Sequence, residues 1–185
     1  MADAFNYTDP NAAVIERCKK GERNAFRELY NLYCKAIYNV ALRILNDSNE
    51  AEEVLQDAFL KAFDNIANYD NKFSFGIWLK RIVINRSLDV LRKRKVNFVP
   101  LDGTEAAEEE SEEEIVFDVQ LIRESMRQLP DGYRTILTLF LFENHSHKEI
   151  AELLGISEGT SKSQYSRARK RLGDLIKQKM ISHER

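Results

Sequence analysis

The stretch Ser146-His147-Lys148-Glu149-Ile150-Ala151-Glu152-Leu153-Leu154-Gly155-Ile156-Ser157-Glu158-Gly159-Thr160 decides how the C-terminal third of the chain folds. A short apolar-periodic helix, a turn at Gly155 and a second helix capped by Ser157 predict a helix-turn-helix. Ala151 is small where the two helices must cross, and Ile150, Leu154 and Ile156 supply the core they share. At roughly 100° per residue, Ser161, Tyr165, Ala168 and Leu172 of the second helix fall on one inward stripe. Lys162, Ser163, Ser166, Arg167 and Lys170 fall together on a different arc. A packed back with a Lys/Ser/Arg front suits the DNA major groove, where Arg and Lys read guanine and hydroxyls read either partner. The alternative is a basic helix face that is merely solvated.

Before this stretch, Leu129-Pro130-Asp131 marks a helix break, so helices are expected near 118–128, 131–142, 146–154 and 157–179. Toward the N-terminus, residues 13–20 read as a short helix ended at Gly21. Phe26, Leu29, Tyr30, Tyr33, Ile37 and Val40 then keep a three-or-four rhythm. Residues 48–65 make another helix, with Ser48 as its expected N-cap and acidic residues on its first turn. Residues 66–76 read as a loop rich in Asn, Asp, Ser and aromatics, and a last helix runs from about Ile77 to Arg94.

Between these two helical parts the composition changes abruptly. Residues 1–95 carry 16 Lys+Arg and 13 Asp+Glu, whereas residues 96–118 carry 9 acidic side chains and no basic one. Residues 119–185 are basic again, with 12 Lys+Arg and 8 Asp+Glu. The net charge of -2 therefore averages two mildly basic bodies and one acidic strap, which includes seven Glu between positions 105 and 114. Mutual repulsion and few apolar residues predict a flexible linker there. The expected fold is all-α: a helical domain at 8–96, an acidic linker at 97–117, and a helix-turn-helix domain at 118–182. Two roles stay equally open for the strap in the free protein: a solvated spacer, or folding back onto basic helix faces to compete with nucleic acid.

No window approaches eighteen consecutive apolar residues, so no membrane insertion is expected. The start Met1-Ala2-Asp3-Ala4-Phe5 lacks the basic and apolar regions of a secretory signal. Cys18 and Cys34 have no CxxC partner and fall in helical sequence, which predicts reduced, buried structural thiols in a cytoplasmic chain. No glycine-rich phosphate cradle occurs. The close pair His145 and His147 lacks carboxylate or thiol partners at ligand spacing, so neither metal nor cofactor is expected and an enzyme is disfavoured.

Two further surfaces carry chemistry. On the 48–65 helix, Ala51, Val54, Leu55, Ala58, Phe59 and Ala62 form the inward stripe. Glu53, Gln56, Asp57 and Leu60 share the opposite face at i, i+3, i+4, i+7. An acidic rim around an exposed leucine repels phosphate and suits a basic helix of a protein partner; an ordinary solvated face is equally open on this pattern. The 77–94 helix is apolar nearly all round (Trp78, Leu79, Ile82, Val83, Ile84, Val90, Leu91), which predicts deep burial. Arg81, Asn85 and Arg92 still align on one face, beside a loop bearing Tyr69, Phe73 and Phe75. Basic side chains next to aromatics can hold unstacked single-stranded bases, and the run Arg92-Lys93-Arg94-Lys95 adds phosphate attraction. Core packing is the alternative for the aromatics.

In order and spacing these pieces resemble the extracytoplasmic-function subgroup of bacterial RNA polymerase sigma factors. Glu50-Ala51-Glu52-Glu53-Val54-Leu55-Gln56-Asp57-Ala58-Phe59 is similar to that family's helix for docking on the polymerase β′ clamp. Trp78-Leu79-Lys80-Arg81-Ile82 with Asn85, Asp89 and Arg92 resembles its segment for opening and reading the minus-ten element. Leu129-Pro130, Glu149-Ile150-Ala151 and Gly159-Thr160-Ser161-Lys162-Ser163 resemble its minus-thirty-five reader. The resemblance implies binding to core RNA polymerase, through β′ and β subunits, by Glu53, Gln56, Asp57 and Leu60. It implies minus-ten contacts by Tyr69, Arg81, Asn85 and Arg92, with Tyr69, Arg81 and Asn85 capturing a flipped base. Minus-thirty-five contacts fall to Thr160, Lys162, Ser163, Ser166, Arg167 and Lys170, and an anti-sigma factor is implied as a further partner. The chain departs from the family at Ser161, usually apolar, at Gln164, commonly basic, and at Asp57, where Glu is common. A stand-alone helix-turn-helix regulator with an unrelated sensor domain would explain residues 146–172 but would leave the two N-terminal surfaces without a role.

Overall fold

Every regular element among the described residues is helical. The structure is a computed structural model and describes residues 9–96, 98 and 119–183. It divides into two units, Met1–Val90 and Leu91–Arg185. The acidic segment, and with it the expected linker and its self-masking role, lies outside the described residues apart from position 98.

In the first unit α1 (Ala12–Lys19) ends at Gly21, whose φ of 80° lies in the left-handed region that glycine enters without strain. It packs on α2 (Arg23–Leu45), which also packs along α3 (Ser48–Asp64). Asn46 closes α2 in the left-handed region, its N–H bonded to the Leu42 carbonyl. The N-cap of α3 is Asp47, not the expected Ser48. Asp47 Oδ1 accepts the N–H groups of Asn49 at 2.9 Å and Glu50 at 3.0 Å, and its negative charge sits at the positive end of the helix. The expected stripe from Ala51 to Ala62 is buried throughout. Tyr30 and Phe26 of α2 meet Phe59 and Phe63 of α3, with ring centroids 4.7 and 4.9 Å apart.

A 3-10 turn (Ile66–Asn68) leads into the loop before α4 (Phe75–Lys93). The first turn of α4 meets α2 at Tyr33. A Cβ on Gly76 would sit 2.9 Å from Tyr33 Cε1, so this approach requires glycine unless the ring shifts. Burial of α4 is more one-sided than expected: Leu79, Val83, Ile84, Leu88 and Leu91 are buried, Trp78, Ile82 and Val90 are half-buried, and Ile77 is exposed. Of the two cysteines, Cys18 is buried, and burial pushes its thiol up to about 11. Cys34 is only half-buried, its thiol facing the Asn31 carbonyl at 3.8 Å, which corrects the expectation of two buried thiols.

The second unit takes in the end of α4 from Leu91 and continues with α5 (Val119–Gln128) and α6 (Asp131–Leu137). The single helix expected over 131–142 widens at its end into a π-helical turn (Thr138–Phe142), where the Glu143 N–H bonds the Thr138 carbonyl five residues back. Then come α7 (His147–Leu154) and α8 (Glu158–His183). Met126, Leu129, Leu137, Ala168 and Leu175 form the core of this unit, with Ile122, Tyr133, Tyr165 and Leu172 packed on it. Among the described residues, no helix is long and apolar enough to cross a membrane.

Candidate functional site

The helix-turn-helix is fixed at both ends of α7. Ser146 and Glu149 form a reciprocal capping box, satisfying two amide donors that the helix start would otherwise leave unpaired. At the other end Gly155 adopts φ 68° and returns its N–H to the Ala151 carbonyl, which makes the turn. Ile150 and Ala151 are buried as expected, whereas Leu154 and Ile156 are half-buried. Ser157 Oγ accepts the Thr160 N–H at 3.0 Å and so starts α8.

Along α8, Ser161 and Ala168 are fully buried and Tyr165 and Leu172 half-buried, which is the expected inward stripe. Gln164, at 5% exposure, belongs to that stripe and was missed. Its signal was in the sequence, since 161, 164, 165, 168 and 172 continue one helical face. On the outward arc Lys162, Ser163 and Lys170 are exposed, and Thr160, Ser166 and Arg167 are half-buried. Lys162 pairs with Glu158 at 2.7 Å across an exposed turn, a contact worth little in water. That pairing holds the Glu158 carboxyl below its ordinary value. Ser163 Oγ donates to the Thr160 carbonyl at 3.0 Å.

A polar contact that helical periodicity does not reveal joins the two helices of the motif. His147 Nδ1 lies 3.0 Å from Ser161 Oγ, its ring stacked on Phe140 at 4.6 Å and edge-on to Tyr165 at 5.4 Å. Burial, then the Lys162 charge, lowers the imidazole below its ordinary value, with Glu158 opposing.

In the first unit, Glu53, Gln56, Asp57 and Leu60 all lie exposed on the face of α3 opposite its buried stripe. Leu60 is 63% exposed, so an apolar side chain stands in water beside two carboxylates.

On α4, Arg81, Asn85 and Arg92 are exposed. Tyr69, which the sequence placed with them, is 4% exposed. Its hydroxyl donates to the Phe73 carbonyl at 2.6 Å, and its ring packs against Phe75 and Trp78. A ring so enclosed has no free face for a base, so core packing wins at Tyr69. The exposed aromatic of the loop is Phe73, at 50%, with the Arg81 guanidinium 4.8 Å from its ring centre. Among the described residues, no group of three or more His, Cys, Asp or Glu is placed to hold a metal ion.

Comparison with known proteins follows the same division. The family model for sigma-70 region 2 matches residues 29–96, and that for sigma-70 region 4 matches residues 120–172. The chain is 34% identical over 172 residues to the ECF RNA polymerase sigma factor SigW of Bacillus subtilis, covering 85% of this chain and 92% of that protein. It is 31% identical over 181 residues to the RNA polymerase sigma-H factor of Pseudomonas aeruginosa, covering 88% and 92% respectively. Among solved structures it resembles the sigma factor RpoE in complex with the anti-sigma factor NepR from Bartonella quintana. That likeness has a TM-score of 0.54 and 25% identity, over 82% of this chain and 96% of that one. A likeness of fold alone extends to CnrH in complex with the cytosolic domain of CnrY, at TM-score 0.52 and 20% identity, over 89% and 96%.

Proposed function

Because the chain belongs to the extracytoplasmic-function subfamily of bacterial RNA polymerase sigma factors, we propose which of its surfaces perform each part of promoter recognition. Its function is to direct RNA polymerase to promoters, and it is not an enzyme. Covalent chemistry belongs to the polymerase. The observation that carries the assignment is the separation of surfaces by charge and exposure: an acidic face around Leu60 in one unit and a Lys/Ser/Arg face on α8 in the other.

The α3 face of Glu53, Gln56, Asp57 and Leu60 docks on core polymerase at the β′ clamp, with β as a further contact. Two carboxylates beside an exposed leucine suit a basic protein helix and repel phosphate. Thr160, Lys162, Ser163, Ser166, Arg167 and Lys170 face the minus-thirty-five duplex. There Arg167 reads a base edge and Lys170 meets phosphate. Arg81, Asn85 and Arg92, joined by Phe73 in place of buried Tyr69, receive the unpaired minus-ten strand. Holding a base out of the stack favours the open form by binding it in preference to the duplex.

The chain is read as a core-binding and minus-ten domain at 8–96, an acidic linker at 97–117 and a minus-thirty-five domain at 118–182. The likeness to the RpoE–NepR complex supports an anti-sigma factor as a partner of the free chain.

Site-specific photocrosslinking in the assembled promoter complex tests the assignment. A crosslinker at Ser166 should label the upstream duplex, and one at Asn85 the single strand near the start site. The reverse pattern, or labelling of neither, overturns it.

A further inference from the structure

Where the chain enters α1, a buried acidic side chain serves none of these surfaces directly. Asp9 is 3% exposed. Its Oδ1 accepts the Asn11 N–H at 2.8 Å as α1 begins. Its Oδ2 accepts the Phe75 N–H at 2.6 Å and lies 3.3 Å from the Tyr69 hydroxyl, contacts that span 66 and 60 residues of sequence. The Phe75 N–H opens α4 and is one of the donors a helix cannot satisfy internally. Ser74 Oγ takes the Ile77 N–H at 3.2 Å, so the start of α4 is held from two sides.

These contacts run outward to the strand-capture surface. The Tyr69 hydroxyl, beside Asp9, donates to the Phe73 carbonyl at 2.6 Å, and the Phe73 ring carries Arg81 at 4.8 Å. Next to Asp9, Asn11 Nδ2 donates to the Tyr33 hydroxyl at 2.9 Å, and the Tyr33 ring packs on Phe75 at 5.4 Å. The short segment around Asp9 and Asn11 thus ties α1, α2, the 69–75 loop and the start of α4 together beneath Phe73 and Arg81. Two backbone N–H groups converge on one carboxyl group, each using a different oxygen. An asparagine offers a single acceptor oxygen and would leave one of those buried donors facing an NH2 group.

We propose that Asp9 is a positioning residue for strand capture: it pins the 69–75 loop to the entry of α1 and so fixes Phe73 and Arg81 where the unpaired strand arrives. The proposal rests on the reading of Arg81 and Asn85 as strand-capture residues.

The test uses holoenzymes assembled from core polymerase and the full-length wild type, Asp9→Asn, Tyr69→Phe or Arg81→Ala. Each is titrated with a single-stranded oligonucleotide carrying the non-template minus-ten region of a promoter the wild type uses. Affinities for core polymerase and for the upstream duplex are measured in parallel. Asp9→Asn should weaken single-strand binding roughly tenfold, the scale of one donor left without its acceptor, with core and duplex affinities within about twofold of wild type. Tyr69→Phe removes one oxygen and keeps the ring. It should weaken single-strand binding in the same direction but less, and it decides the matter if Asp9→Asn fails to fold. Equal loss of all three affinities would make Asp9 a merely structural residue and overturn the proposal. Loss with Arg81→Ala but with neither other variant would remove the role of Asp9 alone. Wild-type single-strand binding by Arg81→Ala would bring down the capture reading, and the proposal with it.

Discussion

The contact between His147 and Ser161 joins the two helices of the DNA-reading motif, and its strength can be measured by a double-mutant cycle. Ser161 is fully buried, and its hydroxyl lies 3.0 Å from His147 Nδ1. Ser161→Ala removes one neutral hydrogen bond and should cost about 1 kcal/mol. His147→Phe keeps a ring against Phe140 but leaves the buried Ser161 hydroxyl without its imidazole partner, at a cost of about 1–3 kcal/mol. With both partners removed, no polar group remains stranded, so the double variant should be less destabilised than the sum of the two by about 1 kcal/mol. The pH dependence follows from the lowered imidazole, whose ordinary value is 6.5. Below that value the unfolded chain binds the proton more readily than the folded one. The contribution of His147 is therefore complete above pH 6.5 and is lost as pH falls through the lowered folded value. Denaturation followed by circular dichroism is the suitable assay, because the single tryptophan, Trp78, reports on the first unit. Additive single variants, or a stability difference between wild type and His147→Phe that is flat from about pH 5 to 8, would refute the coupling.

Three further outcomes are expected. Glu53→Lys with Asp57→Lys should weaken binding to core polymerase in a competition assay while helicity is retained; unchanged affinity removes this face from the docking account. Arg167→Ala should cost about 1–3 kcal/mol at the upstream element and relax specificity there, whereas Lys170→Ala should lower affinity on all sequences and flatten the salt dependence. Equal losses on specific and random DNA, measured by anisotropy, would contradict that division. Gly155→Ala forces a side chain to φ 68° and should lower the stability of the second unit by about 1 kcal/mol, read as a shift in its unfolding midpoint.

Much of the helical architecture was legible because helix faces repeat. The stripe from Ala51 to Ala62 and the turn at Gly155 follow from apolar spacing and glycine geometry, and both are seen. Three features depend on neighbours that periodicity does not name. Asp47 outcompetes Ser48 as N-cap because its carboxylate accepts two amide donors at once. Tyr69 is drawn inward by Phe75, Trp78 and the Phe73 carbonyl, leaving Phe73 as the exposed ring. Asp9 bonds to Phe75, 66 residues away, a pairing that no local pattern encodes. The exposed set on α3 was fully legible, since a face opposite a buried stripe must meet solvent or a partner.

Reconstituted transcription tests the central claim most directly. Core polymerase that initiates only non-specifically should, with this chain added, start at defined positions on a subset of a promoter library. The selected promoters should share an upstream and a downstream element. Combining Glu53→Lys with Asp57→Lys should abolish that selection. Unaltered start sites on addition of the wild-type chain, with core polymerase active on a control sigma factor, would contradict the account.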